Sequence, residues 1–459
     1  MRSRIPKVLH PLAGRAIVDH VLDALAEAGI GRPVVVTGHG ADAVEAAVTA
    51  RAATARQVPQ RGTADAARIG LGAVPPDAGT VLVTMGDAPL QPASLFRALL
   101  NEREMGDPAI VLVSAVLADA TGYGRIVRRA DGGAASIVEE ADADEVIRAV
   151  HEVNVGTYAF DGAWLRDALG RVTPSPSGEE YLTDLVAMAV ADGRAVRIVE
   201  ADDAADTIGI NDRVGLAVAE ERMRRRIVDG HLRNGVTVVD PATTRIDAAV
   251  EIGQDARIEP WTILEGATII AQDAVIGPNA HVSASRIGPR TRVWASVVEE
   301  STVAEDVQIG PYAHLRPGSE VGPHCRIGNF AEIKASRIGA GTQQHHFSYV
   351  GNAEIGDNVN IGAGVVTVNY DGKAKHPTTV GDRAFLGSDS MLIAPVTIGE
   401  GAMTGAGSVV NHDVAPGKTV VGVPARPIEL KRRRHQPPAD AGTPDAGEAP
   451  VPSGADPNS

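Results

Sequence analysis

The stretch that decides the fold is residues 303–333, which read VAEDVQIGPYAHLRPGSEVGPHCRIGNFAEI. Every sixth residue in it is aliphatic, at Val303, Ile309, Leu315, Val321, Ile327 and Ile333. The same step occurs at Ile246, Ile252, Ile258, Leu264, Ile270, Ile276 and Val282, and again at Val380, Leu386, Leu392, Ile398, Thr404 and Val410. A short strand with one inward aliphatic residue, followed by a turn in which glycine accommodates unusual backbone angles, predicts a parallel β-helix of hexapeptide repeats over residues 241–430. A β-sandwich would instead space its strands by about 8–12 residues.

The residues before this domain have a different pattern. Residues 1–212 alternate helical patterns with short valine-rich runs, such as Arg32–Thr37, Val81–Asp87 and Ala109–Ser114. Strands that alternate with helices predict an α/β domain with a mostly parallel sheet. Ligands of such sheets bind beyond the carboxyl ends of the strands, and Asp87 ends one of them.

Two further segments complete the organisation. Residues 213–240 are predicted to be a linker helix, because residues 213–230 place their apolar side chains on one stripe. Residues 431–459 are predicted to be a disordered tail, since they are rich in proline, alanine and acidic residues after the charged run Lys431–Arg434.

Composition excludes several classes of protein. The net charge of -15 argues against a nucleic-acid binder, because affinity for phosphate backbones depends on clustered lysine and arginine. The one cysteine, Cys325, cannot form an intramolecular disulfide and is expected to be a small buried residue. With no signal-peptide pattern and no apolar run of about 18 residues, we expect a cytoplasmic protein without membrane insertion.

The six-residue rhythm is interrupted between Lys334 and Val380, and this interruption is rich in polar residues. They are Gln343, Gln344, His345, His346, Tyr349, Asn360, Asn369, Tyr370, Asp371, Lys373 and Lys375. Because chemistry tends to lie on irregular segments of a rigid framework, we expect the active site of this domain here.

Short motifs in and around this segment carry a resemblance to a known family. They are Leu315–Gly318 (LRPG), Asn329–Lys334 (NFAEIK), His346–Gly351 (HFSYVG), Asp357–Gly364 (DNVNIGAG) and Asn369–Gly372 (NYDG). With them the chain resembles the bifunctional N-acetylglucosamine-1-phosphate uridylyltransferases/glucosamine-1-phosphate acetyltransferases from Pro6 to about Arg426. Hexapeptide repeats alone indicate little about function, whereas NYDG at this distance after His346 is specific.

The resemblance implies an acetyltransferase site in a left-handed β-helix. Acetyl transfer from acetyl-CoA to an amine requires a base, and histidine changes protonation near neutral pH. The resemblance makes His346 that base. It places the sugar phosphate at Arg316, Lys334, Tyr349, Asn360 and Lys375, and acetyl-CoA at Ala363, Asn369, Tyr370, Ser388, Ala406 and Arg426. It also implies a homotrimer, with the coenzyme between neighbouring subunits. From the residues alone, Asn360 could instead be a ladder residue that caps a coil.

A second set of motifs matches the uridylyltransferase half of the same family. They are Pro6–His10, Gln57–Thr63, Met85–Asp87, Gly122–Arg125, Ile137–Glu139, Asn154 and Asn211. The resemblance implies a Rossmann-like nucleotidyltransferase fold of the GT-A type that uses UTP. It implies substrate contacts at Lys7, Gln57, Gly62, Thr63, Met85, Gly86, Asp87, Gly124, Glu139, Asn154 and Asn211, with Mg²⁺ bound by Asp87 and Asn211. From the residues alone, Asn211 could cap the next helix and Asp87 could be a turn residue.

The sequence departs from the family pattern at several positions. Gln343 stands where lysine is usual and His345 where a small residue is usual; Asp65 adds a carboxylate near the expected nucleotide site. The family's Leu-Ala-Ala-Gly-x-Gly-Thr-Arg loop, whose backbone N–H groups bind phosphates, precedes the first residue of this chain. Either the natural start lies further upstream, or this half has lost uridylyl transfer.

Three functions therefore compete. The first is a bifunctional enzyme that makes UDP-N-acetylglucosamine for peptidoglycan and cell-wall synthesis, as the resemblance implies. The second is an acetyltransferase whose first domain is inactive. The third is a regulatory protein whose β-helix only oligomerises; it predicts an uninterrupted repeat without His346, Asn369 and Lys375, which the sequence does not have.

Overall fold

The computed structural model describes residues 1–175 and 178–428. The predicted tail and the run Lys431–Arg434 lie outside these residues. The helices of the first part are α1 (Ile17–Glu27), α2 (Ala41–Val48), α3 (Thr63–Leu71), α4 (Ala93–Glu104), α5 (Glu145–Arg148), α6 (Gly162–Leu169) and α7 (Asp184–Ala191). Short 3₁₀ turns occur at Lys7–Leu9, Glu140–Asp142 and Ala204–Asp206.

The strands of the first part form separate sheets. They are β1 (Pro11–Leu12), β2 (Arg15–Ala16), β3 (Val34–Thr37), β4 (Ala53–Arg56), β5 (Thr80–Val83), β6 (Ile110–Val116), β7 (Arg125–Arg128), β8 (Ala134–Val138), β9 (Glu152–Asp161) and β10 (Val196–Glu200). The larger sheet has the order β10-β6-β9-β7-β8, with β5 paired to β9. Strands β3 and β4 pair with each other and, within the described residues, do not join it.

The prediction of a mostly parallel sheet is wrong. Strand β9 is antiparallel to β5, β6 and β7, and β7 is antiparallel to β8, whereas β6 and β10 are parallel. The physical reason is that the long strand β9, which is buried along most of its length, lies at the centre of the sheet and runs antiparallel to the strands beside it. Helices still cover the sheet, so the α/β class is correct.

A long helix, α8 (Arg213–Arg233), follows the first domain. Its N-cap is Asp212, whose carboxylate accepts the Gly215 N–H at 2.8 Å. The suggestion that Asn211 caps this helix is therefore wrong. Ala219 and Met223 on α8 pack with Leu12 and Leu90 of the first domain.

The second part is a parallel β-helix with three faces. Face A consists of Thr237–Val238, Arg257–Ile258, Val275–Ile276, Arg292–Val293, Gln308–Ile309, Arg326–Ile327, Gln343–Gln344, Asn360–Ile361, Phe385–Leu386, Met403–Thr404, Thr419–Val421 and Arg426–Ile428. Face B consists of Arg245–Ile246, Ile263–Glu265, His281–Ser283, Val297–Glu299, His314–Leu315, Ala331–Lys334, Ser348–Gly351, Val366–Val368, Met391–Ile393 and Val409–Val410. Face C consists of Glu251–Ile252, Ile269–Ile270, Arg286–Ile287, Thr302–Val303, Glu320–Val321, Arg337–Ile338, Ala353–Ile355, Thr378–Val380 and Val396–Ile398.

The hexad positions point inwards, as the repeat predicts. Val303, Ile309 and Leu315 are buried and belong to one continuous core. A small residue two positions earlier is also buried, so each strand contributes an aliphatic side chain and a compact one. Cys325 occupies such a compact position, as expected, and burial raises the pKa of its thiol to about 11.

The coils continue through the segment where the rhythm is interrupted. Inward residues step by five from Ile333 to Ile338 and then by six to Gln344, so the register changes without loss of the β-helix. The prediction of an irregular segment from Lys334 to Val380 is therefore wrong for most of its length, because strands of all three faces run through it. The loop proper lies between the strand ends at Val368 and Thr378.

Candidate functional site

Three cationic side chains meet at one edge of face B. Arg316 and Lys334 occupy equivalent positions on neighbouring coils, because the residues before them, Leu315 and Ile333, pair with each other. The positive charge of Arg316, followed by that of Lys375, lowers the pKa of the Lys334 ammonium. Glu332, whose carboxylate accepts from the Arg316 guanidinium at 2.8 Å, and the more distant Glu299 partly offset this charge. Such a concentration of positive charge favours an anionic ligand.

A tyrosine and an asparagine lie beside these cations. The phenol of Tyr349 lies over Gly351, because a Cβ added there would be 2.3 Å from the tyrosine oxygen. Gly351 pairs with Lys334 on the preceding coil. Asn369 is buried, and its amide donates to Asn352 Oδ1 at 2.8 Å, next to Gly351. Four of the predicted sugar-phosphate residues and Asn369 are therefore brought together.

The loop that carries Lys375 is fixed by its own hydrogen bonds. The carboxylate of Asp371 accepts N–H groups from Lys373 and Ala374, each at 2.7 Å, and His376 lies 2.8 Å from it. The N–H of Ala374, the side chain of His376 and the N–H of Lys373 together lower the pKa of Asp371. The loop thus presents Lys375 to Lys334 from a defined turn.

His346 lies at the corner between faces A and B, at the start of a column of small residues. Strand pairing aligns the corner positions, each three residues after a paired residue of face A: Gln343 pairs with Asn360, Asn360 with Phe385 and Phe385 with Met403. The column that begins at His346 therefore continues through Ala363, Ser388 and Ala406, three of the residues assigned to acetyl-CoA. Small side chains leave room along the corner for an extended ligand.

The remaining predicted residues of this domain are more dispersed. Asn360 lies on face A next to Gln343, and its side chain has no hydrogen-bond partner among the described residues, which does not support the ladder alternative. Tyr370 is exposed in the loop. Arg426 lies on the last strand of face A and donates to the carbonyl of Ala425 at 2.9 Å.

Two departures from the family pattern also have defined positions. The Gln343 amide donates to the Gly341 carbonyl at 2.9 Å. The exposed ring of His345 lies 6.3 Å from that of His346, measured between centroids.

In the first domain, Lys7, Asp87 and Asn211 converge. The Lys7 ammonium contacts the Asp87 carboxylate and lies 3.2 Å from Asn211 Oδ1. Gly209 lies against Asp87, and the N–H of Ile210 donates to the Asp87 carbonyl at 2.9 Å. A carboxylate and an amide oxygen therefore already surround one positive charge, which is the arrangement that a hard divalent cation requires.

A second group contains Gly124, Glu139 and Asn154. The N–H of Asn154 donates to the Gly124 carbonyl at 2.8 Å, and a Cβ at Gly124 would be 3.3 Å from the Glu139 carboxylate. Burial raises the pKa of Glu139, against the opposing effect of a 2.8 Å hydrogen bond from Thr183. Met85 lies against Gly156, two residues after Asn154, because a Cβ added at Gly156 would be 3.0 Å from the Met85 side chain. Gly86 follows Met85 in the chain.

The third group is Gln57, Gly62 and Thr63, at the start of α3. Gly62 has φ +122°, and a Cβ there would be 2.4 Å from the Glu180 carbonyl oxygen, so only glycine fits. The Gln57 amide donates to the Gly62 carbonyl at 3.0 Å and to Asp65 at 2.8 Å. Arg68 lies 3.1 Å from Asp65 and also pairs with Glu180, so a single cation serves two carboxylates here.

Two residues outside the sequence motifs, Thr183 and Asn352, contact predicted site residues. Thr183 donates to Glu139, while the N–H of Leu182 donates to Thr63 at 2.9 Å, so the segment between Glu180 and Thr183 connects the second and third groups. Asn352 orients Asn369. Neither belongs to a motif that was singled out, although Asn352 directly follows one of them.

Two features are absent from the part of the chain that the structure describes. In residues 1–175 and 178–428, no helix is long and apolar enough to cross a membrane. Within the same ranges, no three or more His, Cys, Asp or Glu side chains are grouped as a metal site.

Each of the two domains matches a known protein family. The MobA-like NTP transferase domain matches residues 1–153, and the bacterial transferase hexapeptide (six repeats) matches residues 300–335 and 377–412. The first domain thus has the nucleotidyltransferase fold, and the second is a β-helix of hexapeptide repeats, as the sequence predicts, with the left hand that the family resemblance implies.

Several curated relatives match along nearly the whole chain, and each is named bifunctional protein GlmU. The protein of Brevibacillus brevis is 45% identical over 415 residues, which is 90% of each chain. That of Geobacillus thermodenitrificans is 44% identical over 93% of each chain, and that of Thermobifida fusca is 44% identical over 96% of this chain and 93% of the relative. A solved CMP:2-keto-3-deoxy-manno-octonic acid synthetase, complexed with CTP, aligns with a TM-score of only 0.39 at 19% identity, over 49% of this chain and 94% of that chain.

Proposed function

The chain belongs to the family of bifunctional GlmU proteins, and from this membership we propose that it makes UDP-N-acetylglucosamine in two steps. In the first, the β-helix transfers the acetyl group of acetyl-CoA to the amine of glucosamine-1-phosphate. In the second, the first domain transfers uridylyl from UTP to N-acetylglucosamine-1-phosphate and releases pyrophosphate. The observation that carries the proposal is the group of Arg316, Lys334 and Lys375 beside Tyr349, on the face next to His346.

In the proposed acetyl transfer, the three cations bind the sugar phosphate and Tyr349 orients the sugar. His346 takes a proton from the amine as its nitrogen attacks the thioester carbonyl. The C–N bond forms, the C–S bond breaks, and the protonated His346 returns its proton to the sulfur, so coenzyme A leaves as the thiol. Asn369, fixed by Asn352, is assigned to the acetyl-CoA side of this reaction.

We also propose that the protein acts as a homotrimer. His346 lies at the A/B corner, whereas Lys334 lies at the other edge of face B, with the strand Ser348–Gly351 between these edges. A neighbouring subunit against face B would enclose both. An exposed aromatic column at the same corner supports this assembly: Tyr312 and Phe330 stack with ring centroids 5.5 Å apart, and Phe347 occupies the next coil. Exposed apolar columns of this kind favour protein contacts.

For the proposed uridylyl transfer, the phosphate oxygen of the sugar phosphate attacks the α-phosphorus of UTP. Asp87 and Asn211 would bind Mg²⁺, whose charge neutralises the triphosphate. Lys7 would then contact phosphate oxygens. Gln57, Gly62 and Thr63 would contact the nucleotide, and Gly124, Glu139 and Asn154 the sugar.

A second candidate is acetyl transfer alone, with the first domain inactive. The observation that favours it is that, within the described residues, strands β3 and β4 form their own sheet and do not join the sheet that contains β5. Two assays distinguish the candidates. Thiol release from acetyl-CoA with glucosamine-1-phosphate tests the first step, and pyrophosphate release from UTP with N-acetylglucosamine-1-phosphate tests the second. Both activities support the bifunctional enzyme, thiol release alone supports the second candidate, and the absence of thiol release contradicts both.

A further inference from the structure

The coil that carries His346 has a buried amide at an inward position of face A, where the other coils have an aliphatic side chain or, at Thr404, a threonine. Gln344 is fully buried on face A, where it pairs with Ile327 of the preceding coil. Its Oε1 has no hydrogen-bond partner within the described part of the chain. Because a buried acceptor without a partner destabilises a fold, this residue is poorly suited to a purely structural position.

The other end of the amide forms a hydrogen-bond chain to His346. Gln344 Nε2 donates to Ser348 Oγ at 2.9 Å. Ser348 Oγ in turn donates to the carbonyl oxygen of His346, also at 2.9 Å. The three residues thus enclose the corner from which the imidazole projects, and both bonds lie inside the coil.

Neighbouring coils show what Gln344 replaces. The Ser296 hydroxyl accepts the N–H of Ala313 at 3.1 Å, 17 residues later in the chain. At the next corner, before face C, Ser336 accepts the N–H of Ala353 in a similar way at 3.0 Å. The corresponding N–H for Ser348 is that of Val365, which instead donates to the Gly362 carbonyl at 3.4 Å. The Ser348 hydroxyl therefore accepts no backbone N–H from the next coil, and the Gln344 amide is its donor instead.

We propose that Gln344 is a positioning residue for His346 in acetyl transfer; this inference rests on the proposed function of His346 as the base. By donating to Ser348, Gln344 directs the single hydroxyl hydrogen of Ser348 to the His346 carbonyl. This fixes the backbone of His346 and hence the direction of its imidazole. Gln344 does not touch the substrates, so its loss changes kcat rather than KM.

The test is Gln344→Ile, which continues the aliphatic column and removes the unpartnered oxygen. We expect the melting temperature to stay equal or rise, while kcat for thiol release falls at least about fivefold and both KM values change less than about twofold. Ser348→Ala should lower kcat similarly. Since both residues act through one chain, the double variant should lose no more kcat than the more impaired single variant.

Ser296→Ala is the matched control, because Ser296 donates to the Trp294 carbonyl at 2.7 Å three coils earlier. We expect it to retain kcat. Wild-type kcat in Gln344→Ile overturns the inference, as does a loss accompanied by a lower melting temperature or shared by Ser296→Ala. If the wild-type chain releases no thiol, the proposed function fails before any variant is compared.

Discussion

Substitution of Lys334 by glutamine tests the cation cluster on face B. The change shortens the side chain only slightly and removes one of the three positive charges that we propose bind the sugar phosphate. All three cations are solvent-accessible, so screening reduces each contribution to that of one exposed charge-assisted hydrogen bond. We expect KM for glucosamine-1-phosphate to rise about tenfold at low salt, with kcat within about threefold of wild type.

Although substrate binding weakens, the free energy of unfolding of the substrate-free protein should not fall. Arg316 and Lys375 lower the pKa of Lys334, so the unfolded chain binds this proton more tightly than the folded one. Stability of the wild type therefore rises as the pH rises towards the ordinary lysine pKa of 10.5, and this contribution is absent from the variant. Near neutral pH the melting temperature of Lys334→Gln should equal or exceed that of wild type.

The assay is thiol release at several glucosamine-1-phosphate concentrations and two ionic strengths. The control is Arg337→Gln, which removes the same charge from the same coil but on face C. An unchanged KM in Lys334→Gln, or an equal rise in the control, would refute the assignment of the phosphate to this cluster.

Three further outcomes follow from the structure. Gly62→Ala should destabilise the first domain by about 3 kcal/mol or more, seen by calorimetry, because the new methyl meets the Glu180 carbonyl; a neutral effect would contradict this backbone geometry. Ile338→Ala should cost about 3 kcal/mol in denaturant unfolding of the β-helix, since Ile338 is buried; a loss below 1 kcal/mol, roughly that of a surface change, would count against the continued coil. Glu139→Gln should raise the free energy of unfolding of the first domain at pH 7 but not at pH 4. Because burial raises the pKa of Glu139, its contribution to wild-type stability is full below pH 4.5 and is lost as the carboxyl ionises at higher pH. An equal difference between variant and wild type at both pH values would contradict this burial.

The sequence predicted the β-helix well because inward positions such as Ile309 and Leu315 recur with the period of the coil. It did not predict how the coil continues after Lys334. There the step shortens to five residues and an amide takes an inward position, so the pattern fades although the backbone pairing persists. A buried Gln344 is recognisable only once the register is known.

In the first domain, alternation of strand and helix predicted the class but not the direction of the strands. Direction depends on long-range pairing, and β9 pairs with strands far from it in sequence. Motifs predicted Asp87 and Asn211 as site residues, and their convergence on Lys7 became visible only in the fold. The contact between Thr183 and Glu139 has no sequence signal, since it joins segments 44 residues apart.

The most direct test of the central claim is thiol release by His346→Ala and His345→Ala, compared with wild type at saturating substrates. The two histidines are adjacent and exposed, so each substitution perturbs the same corner. We expect His346→Ala to lose at least about a hundredfold in kcat, because a general base is removed, while His345→Ala keeps most of its kcat. A kcat near wild type in His346→Ala, or an equal loss in both variants, would contradict the assignment of His346 as the base.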